Sequence, residues 1–178
     1  MTQLIITLPL EPPQANVQLD FLVSADRRSV TSQSRAALAL MPQPANAEVV
    51  LVLPVQALSW HQVQLPRGLL GKNFLSEGQA PRLRAALEGL LEEQLLDEPS
   101  QLHFALAPGA RDGAPVWVAA CDRAWLTAWL QALEATGHAV SRIVPELSLD
   151  DLFEAGRLDD ASQPLRTLHV LGTPERAH

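Results

Sequence analysis

The spacing of apolar residues changes along this chain from that of strands to that of a helix, and that change restricts the fold more than any other feature. Up to Leu65 the apolar residues form short β-branched or alternating runs, which are typical of strands. From Pro81 to Leu96 leucines recur at the spacing of one helix face. After Leu96, segments with strand spacing and segments with helical spacing both occur again. The mixture predicts an α/β or α+β fold.

The individual elements follow from these runs and from the breaks between them. The predicted strands are Leu4–Leu8, Val17–Val23, Ser29–Ser34, Val49–Leu53, Trp60–Leu65, Leu102–Leu106, Val116–Ala120, Val140–Val144 and Leu168–Leu171. The predicted helices are Pro81–Leu96, Asp122–Gly137 and a short Leu149–Glu154. We expect the first four strands to share one mixed sheet, with the second helix packed on it. Val49–Leu53 lacks alternation, which favours a strand that is covered on both faces.

The second helix carries a leucine stripe and two tryptophans. Leu126, Leu130 and Leu133 are expected to face the core. Trp125 and Trp129 lie beside that stripe, four residues apart, so we expect them to cover each other and the domain edge. A partner-facing aromatic patch is the alternative.

Charge and hydropathy exclude several classes of protein. The chain has 13 basic and 20 acidic residues, for a net charge of −7, which argues against a nucleic-acid binder and a polybasic membrane anchor. The apolar run from Val49 to Leu58 is broken by Pro54 and Gln56 and is shorter than the ~20 residues of a membrane-spanning helix. Met1 to Leu10 lacks a basic start, so no signal peptide is expected. The sequence predicts a soluble protein of a reducing compartment.

Catalytic and ligand-binding patterns are weak. No two histidines have the spacing of a metal pair, and the single Cys121 has apolar neighbours typical of a core residue. No glycine precedes Gly68, whereas a loop that cradles phosphate usually needs glycine for close backbone approach. We therefore predict no catalytic, cofactor-binding or metal-binding residue.

Four carboxylates crowd one end of the first predicted helix. Glu92, Glu93, Asp97 and Glu98 lie toward its C-terminus, where the helix dipole disfavours negative charge by ~0.3–1 kcal/mol per residue. One interpretation is a solvated acidic end. The other is an acidic docking surface for a basic partner, kept despite its local cost. These four residues are the predicted partner-binding site.

Three blocks of sequence carry a resemblance to a known family. They are Val49–Pro66 (VVLVLPVQALSWHQVQLP), Arg82–Leu106 and Pro115–Glu146. The most specific parts are Leu91–Leu106, with its LEEQLLD core, and Asp122–Leu130 (DRAWLTAWL). In this order they resemble the cytoplasmic domain of the type II secretion system protein L family. Residues 1–47 resemble that family only loosely.

The resemblance implies an actin-like, ribonuclease-H-type fold without ATPase activity. Residues 1–165 would form a first lobe, with an inserted β-α-β-β unit at 55–120, and residues 166–178 would begin a second lobe. The implied function is that of a non-enzymatic scaffold at the cytoplasmic face of the bacterial inner membrane, which recruits the secretion ATPase (protein E). Protein M and other platform proteins would bind through parts absent here. The resemblance leaves undecided whether the chain forms a homodimer.

Two alternatives accompany the scaffold hypothesis. The first is a nucleotide-binding protein of the actin-like ATPase and sugar-kinase class, which includes the related pilus-assembly protein. The glycine-free N-terminus argues against it. The second is a generic α/β interaction domain that shares the fold alone.

Overall fold

A computed structural model describes residues 2–70, 80–111 and 113–147. These ranges contain eight strands and two α-helices. They are β1 (Gln3–Thr7), β2 (Gln18–Ser24), β3 (Ser32–Ala37), β4 (Glu48–Leu53), β5 (Ser59–Gln64), α1 (Ala80–Leu91), β6 (Leu102–Leu106), β7 (Pro115–Asp122), α2 (Arg123–Ala135) and β8 (Val140–Pro145). Single 3₁₀ turns occupy Leu38–Leu40, Val55–Ala57 and Pro99–Gln101.

Five strands form a mixed sheet in the order β3-β2-β1-β4-β8. The β1–β2 and β2–β3 pairs are antiparallel, whereas β1–β4 and β4–β8 are parallel. The first four predicted strands therefore share one sheet, as the sequence analysis expected. β4 lies between β1 and β8, and Val50 and Leu51 on it are buried. A strand paired on both sides and covered by other elements explains the unbroken apolar run.

The third strand begins later than the sequence predicts. Ser29–Ser34 was the expected range, but β3 covers Ser32–Ala37. One carboxylate oxygen of Asp26 accepts hydrogen bonds from the backbone N–H groups of Arg28 and Ser29, both at 2.8 Å. This turn includes Ser29, the first residue assigned to the strand, and pairing with β2 begins only at Ser32.

The second helix packs on the five-stranded sheet, with one correction to its inward face. Asp122 caps the helix by accepting from the Trp125 backbone N–H at 2.9 Å, and Gly137 follows it at a φ of 82°. Its buried residues are Leu126, Trp129 and Leu133, whereas Leu130 is only partly buried. The prediction that Trp129 covers the domain edge was wrong, because the indole lies in the core.

The three remaining strands form an antiparallel sheet in the order β5-β7-β6. With α1 they follow the chain order strand, helix, strand, strand. Leu87 and Leu91 of α1 pack with residues of this sheet in a second apolar cluster, separate from the one around α2. Their burial confirms that this part of the leucine stripe faces inward, whereas Leu90, which the helical spacing also assigns to the stripe, is 37% exposed.

The first helix is shorter than predicted. It ends at Leu91 rather than Leu96, and the backbone N–H groups of Gln94 and Leu95 both donate to the Leu91 carbonyl as the chain turns away. Only Glu92 and Glu93 therefore adjoin the helix C-terminus. The helix-dipole argument does not reach Asp97 and Glu98, since the dipole effect fades within the last turn.

The chain divides into two units, Met1–Pro145 and Glu146–His178. Only residues 146 and 147 of the second unit are described. The predicted helix Leu149–Glu154 and the predicted strand Leu168–Leu171 lie outside the described residues, and the lobe boundary at 165 stays a prediction. None of the helices in the described ranges is long and apolar enough to cross a membrane.

Candidate docking surface

The four predicted partner-binding carboxylates lie on one exposed stretch after α1, which we call the acidic segment (Glu92, Glu93, Asp97 and Glu98). All four side chains are exposed to solvent. Within the described ranges none of them forms an ion pair, and Glu98 accepts a hydrogen bond from the Ser100 hydroxyl at 2.8 Å. Their charges are thus open to a partner.

Two arginines hold the turn that follows the acidic segment. Arg84 of α1 donates to the Leu102 carbonyl from both terminal nitrogens at 3.1 Å, and also to the carbonyls of Pro99 and Ser100. Arg123 donates to the same Leu102 carbonyl at 3.0 and 3.3 Å. The segment is therefore tied to both helices. The sequence does not indicate this function of Arg84, because its partners are backbone carbonyls distant in sequence.

A groove with a volume of about 630 Å³ lies beside the acidic segment. Its walls come from the chain after β1, the β4–β5 connection, the chain after α1, and the start of α2. Asp97 and Glu98 line it together with Asp122, whereas Glu92 and Glu93 do not. The structure thus assigns half of the acidic segment to a concave surface and leaves the other half outside it.

The apolar part of this groove contains side chains that the sequence analysis did not select. Leu96 is fully exposed and Leu10 is 53% exposed, and both line the groove. Trp125 also lines it, and its indole N–H is buried without a hydrogen-bond partner among the described residues. Helical spacing identified Trp125 as an edge residue, but only the folded chain shows which residues surround it.

The first part of the connection between β1 and β2 is held in place at two points. The Leu8 backbone N–H donates to the Val52 carbonyl at 3.0 Å, and Leu8 is buried. The indole N–H of Trp129 donates to the Glu11 carbonyl at 3.0 Å. This is the glycine-free connection that the sequence analysis judged unsuited to phosphate. An aromatic side chain from α2 holds its backbone in place.

The single cysteine is a core residue. Cys121 is buried among the apolar residues around α2, and burial together with the neighbouring Asp122 carboxylate raises its pKa to about 11. A nucleophilic thiol needs a lowered pKa. Within the described ranges no group of His, Cys, Asp and Glu residues is placed to hold a metal ion.

We therefore expect Cys121 to react slowly with thiol reagents in the native protein. A pKa of about 11 against an ordinary value of 9.0 lowers the thiolate fraction at pH 8 about a hundredfold, and burial limits access further. Iodoacetamide labelling followed by mass spectrometry should show slow modification in buffer and fast modification in urea. Equal rates in both conditions would contradict the buried assignment.

The described fold is that of a mixed α/β domain with two sheets and an exposed acidic groove. The model of the family described as type II secretion system (T2SS), protein L, matches residues 6–149. The chain belongs to this family.

Individual relatives agree with the family match. A type II secretion system protein L from Pseudomonas aeruginosa is 39% identical over 89 residues, which are 50% of this chain and 20% of that protein. The cytoplasmic domain of EpsL, an inner-membrane component of the type II secretion system of Vibrio cholerae, matches with a TM-score of 0.60 and 26% identity. That match covers 82% of this chain and 57% of the other. A chain of a PilM-PilN type IV pilus biogenesis complex follows at a TM-score of 0.46 and 15% identity.

Proposed function

We propose that this chain is a non-enzymatic scaffold at the cytoplasmic face of the inner-membrane platform of the type II secretion system. Its task would be to recruit the secretion ATPase and link it to the membrane complex. The family membership and the likeness to the cytoplasmic domain of an inner-membrane component support this location. Contacts with protein M would use parts of the protein outside this chain.

The observation that carries the proposal is the placement of the acidic segment. It lies inside the range matched by the family model, it is exposed, and Arg84 and Arg123 hold the turn that follows it. Exposed charges of one sign steer an oppositely charged partner and raise the association rate. A basic patch on the ATPase would therefore find here a complementary surface held in a fixed position.

The sheet topology supports the architecture expected from the family resemblance. Three consecutive antiparallel strands, extended by parallel strands on one side and followed by a strand-helix-strand-strand unit, agree with an actin-like first lobe with an insertion. The connection after β1 is built from proline and glutamate and is tied down by Trp129. Such a connection offers a nucleotide few backbone donors, which supports a scaffold rather than an ATPase.

The direct test is binding of the purified chain to the purified N-terminal domain of a type II secretion ATPase. Biolayer interferometry should show saturable binding that weakens as salt is added, because the charges of the acidic segment are exposed and screened. No binding at low ionic strength would contradict the proposal.

We also expect magnesium and ATP to leave the melting temperature unchanged. A ligand that binds only the folded protein adds about 2.7 kcal/mol at a concentration of 100 Kd, which a thermal-shift assay detects readily. Magnesium with a non-nucleotide polyphosphate is the matched control for ionic strength. A rise with ATP alone would favour the nucleotide-binding alternative.

A further inference from the structure

The groove beside α2 has a strongly one-sided charge. Three carboxylates, those of Asp97, Glu98 and Asp122, line it, and its lining among the described residues includes no lysine or arginine. Asp122 uses one oxygen to cap α2, and Glu98 accepts from Ser100. Neither bond is to a cation. Arg84 and Arg123 bind the Leu102 carbonyl on the groove wall, but the three carboxylates outnumber these two guanidinium groups, so the net charge is negative and favours a positively charged occupant.

The same groove has apolar surface beside those carboxylates. Leu96 projects fully into solvent, and Leu10 is more than half exposed. Leaving such a side chain in water costs free energy, which burial against an aliphatic side chain would recover. Trp125 also lines the groove, so its indole can report on what enters, although the indole N–H itself is buried and out of an occupant's reach. An occupant that complements the groove combines a cation with an aliphatic side chain.

We propose that this groove binds a protein segment in which lysine or arginine alternates with large aliphatic residues. The cation would lie against Asp97 and Glu98, and the aliphatic side chain would cover Leu96 beside Trp125. The inference rests on the proposed function in taking Asp97 and Glu98 as docking residues. It goes further by naming the groove and the chemistry of the segment that enters it.

The test uses a short blocked peptide of alternating arginine and leucine and the nitrogen–proton spectrum of the labelled chain. The chain has four tryptophans and hence four indole signals, and Trp125→Phe identifies the one that matters. Addition of peptide should shift the Trp125 indole signal saturably. The Trp129 signal should stay in place, because its N–H already donates to Glu11. Peptides with glutamate for arginine, or serine for leucine, should shift neither signal.

Matched variants separate groove binding from general attraction to an acidic protein. Leu96→Ala and Glu98→Gln should each raise the peptide Kd about fivefold or more. Leu40→Ala and Glu134→Gln change other exposed residues that do not line the groove, and they should leave the Kd nearly unchanged.

Three results would overturn the inference. They are an unmoved Trp125 signal, equal binding of the control peptides, and equal effects of the Leu96 and Leu40 variants. A Trp125 signal that moves with protein concentration alone would assign the groove to a second copy of the chain and contradict a basic segment as the occupant. Because no ATPase is present, failure here leaves the proposed recruitment standing. If the ATPase does not bind, the peptide experiment still tests the groove independently.

Discussion

Replacing Trp129 with alanine should lower the free energy of unfolding by ~3–5 kcal/mol, the usual cost of deleting a large aromatic residue from a core. Trp129 is 1% exposed and lies in the cluster that joins α2 to the five-stranded sheet. The substitution also removes the donor to the Glu11 carbonyl. Urea unfolding followed by circular dichroism measures the change.

A second variant separates the two contributions of Trp129. Trp129→Phe keeps most of the buried ring and removes the indole N–H, so we expect a loss nearer ~1–3 kcal/mol, with part of it due to the unpaired Glu11 carbonyl. It also keeps the experiment informative if Trp129→Ala fails to fold. A loss below ~0.5 kcal/mol for Trp129→Ala would place this indole at the surface and contradict the fold.

Replacing Leu87 with alanine should cost ~2–5 kcal/mol, because the change removes buried methyl groups and leaves a cavity. Leu87 is 2% exposed and packs between α1 and the three-stranded sheet. Leu90, three residues further along the same helix, is 37% exposed and serves as the matched control. Leu90→Ala should change stability by less than ~0.5 kcal/mol.

Hydrogen exchange should show where the Leu87 substitution acts. The two apolar clusters are separate, so we expect α1 and β5 to β7 to lose protection before the five-stranded sheet does. Uniform loss of protection across both sheets would show that the two clusters unfold as one. Equal effects of Leu87→Ala and Leu90→Ala would mean that the leucine stripe is exposed.

Local pattern identified most of the described elements, because alternation and helical spacing reflect burial of one face. It failed where a short-range hydrogen bond competes with the pattern. The Asp26 turn delays β3, and the chain bends away after Leu91 although leucines continue to Leu96. At β3 the predicted strand starts at Ser29, before the first paired residue. After Leu91 the leucine spacing continues beyond the helix, although Leu95 still packs against the second apolar cluster.

The sequence identified only part of the candidate site. A local cluster of carboxylates marks the acidic segment, but spacing does not show that Asp97 and Glu98 meet Asp122 and Trp125 across a groove. That arrangement depends on how α2 and the chain after α1 are placed in three dimensions. The position of Trp129 was wrong for a similar reason, because a helix on a sheet buries a wider face than a leucine stripe indicates.

Our proposal is that the acidic segment guides a basic partner to this chain. It is tested most directly by the association rate of the secretion ATPase N-terminal domain with Glu93→Lys/Asp97→Lys. At low ionic strength we expect association to slow about tenfold and its salt dependence to flatten, with an unchanged or slightly higher melting temperature. Glu11→Lys/Glu134→Lys makes the same change in net charge at two other exposed positions and should slow association much less. Equal association rates for the wild type and Glu93→Lys/Asp97→Lys would contradict the claim.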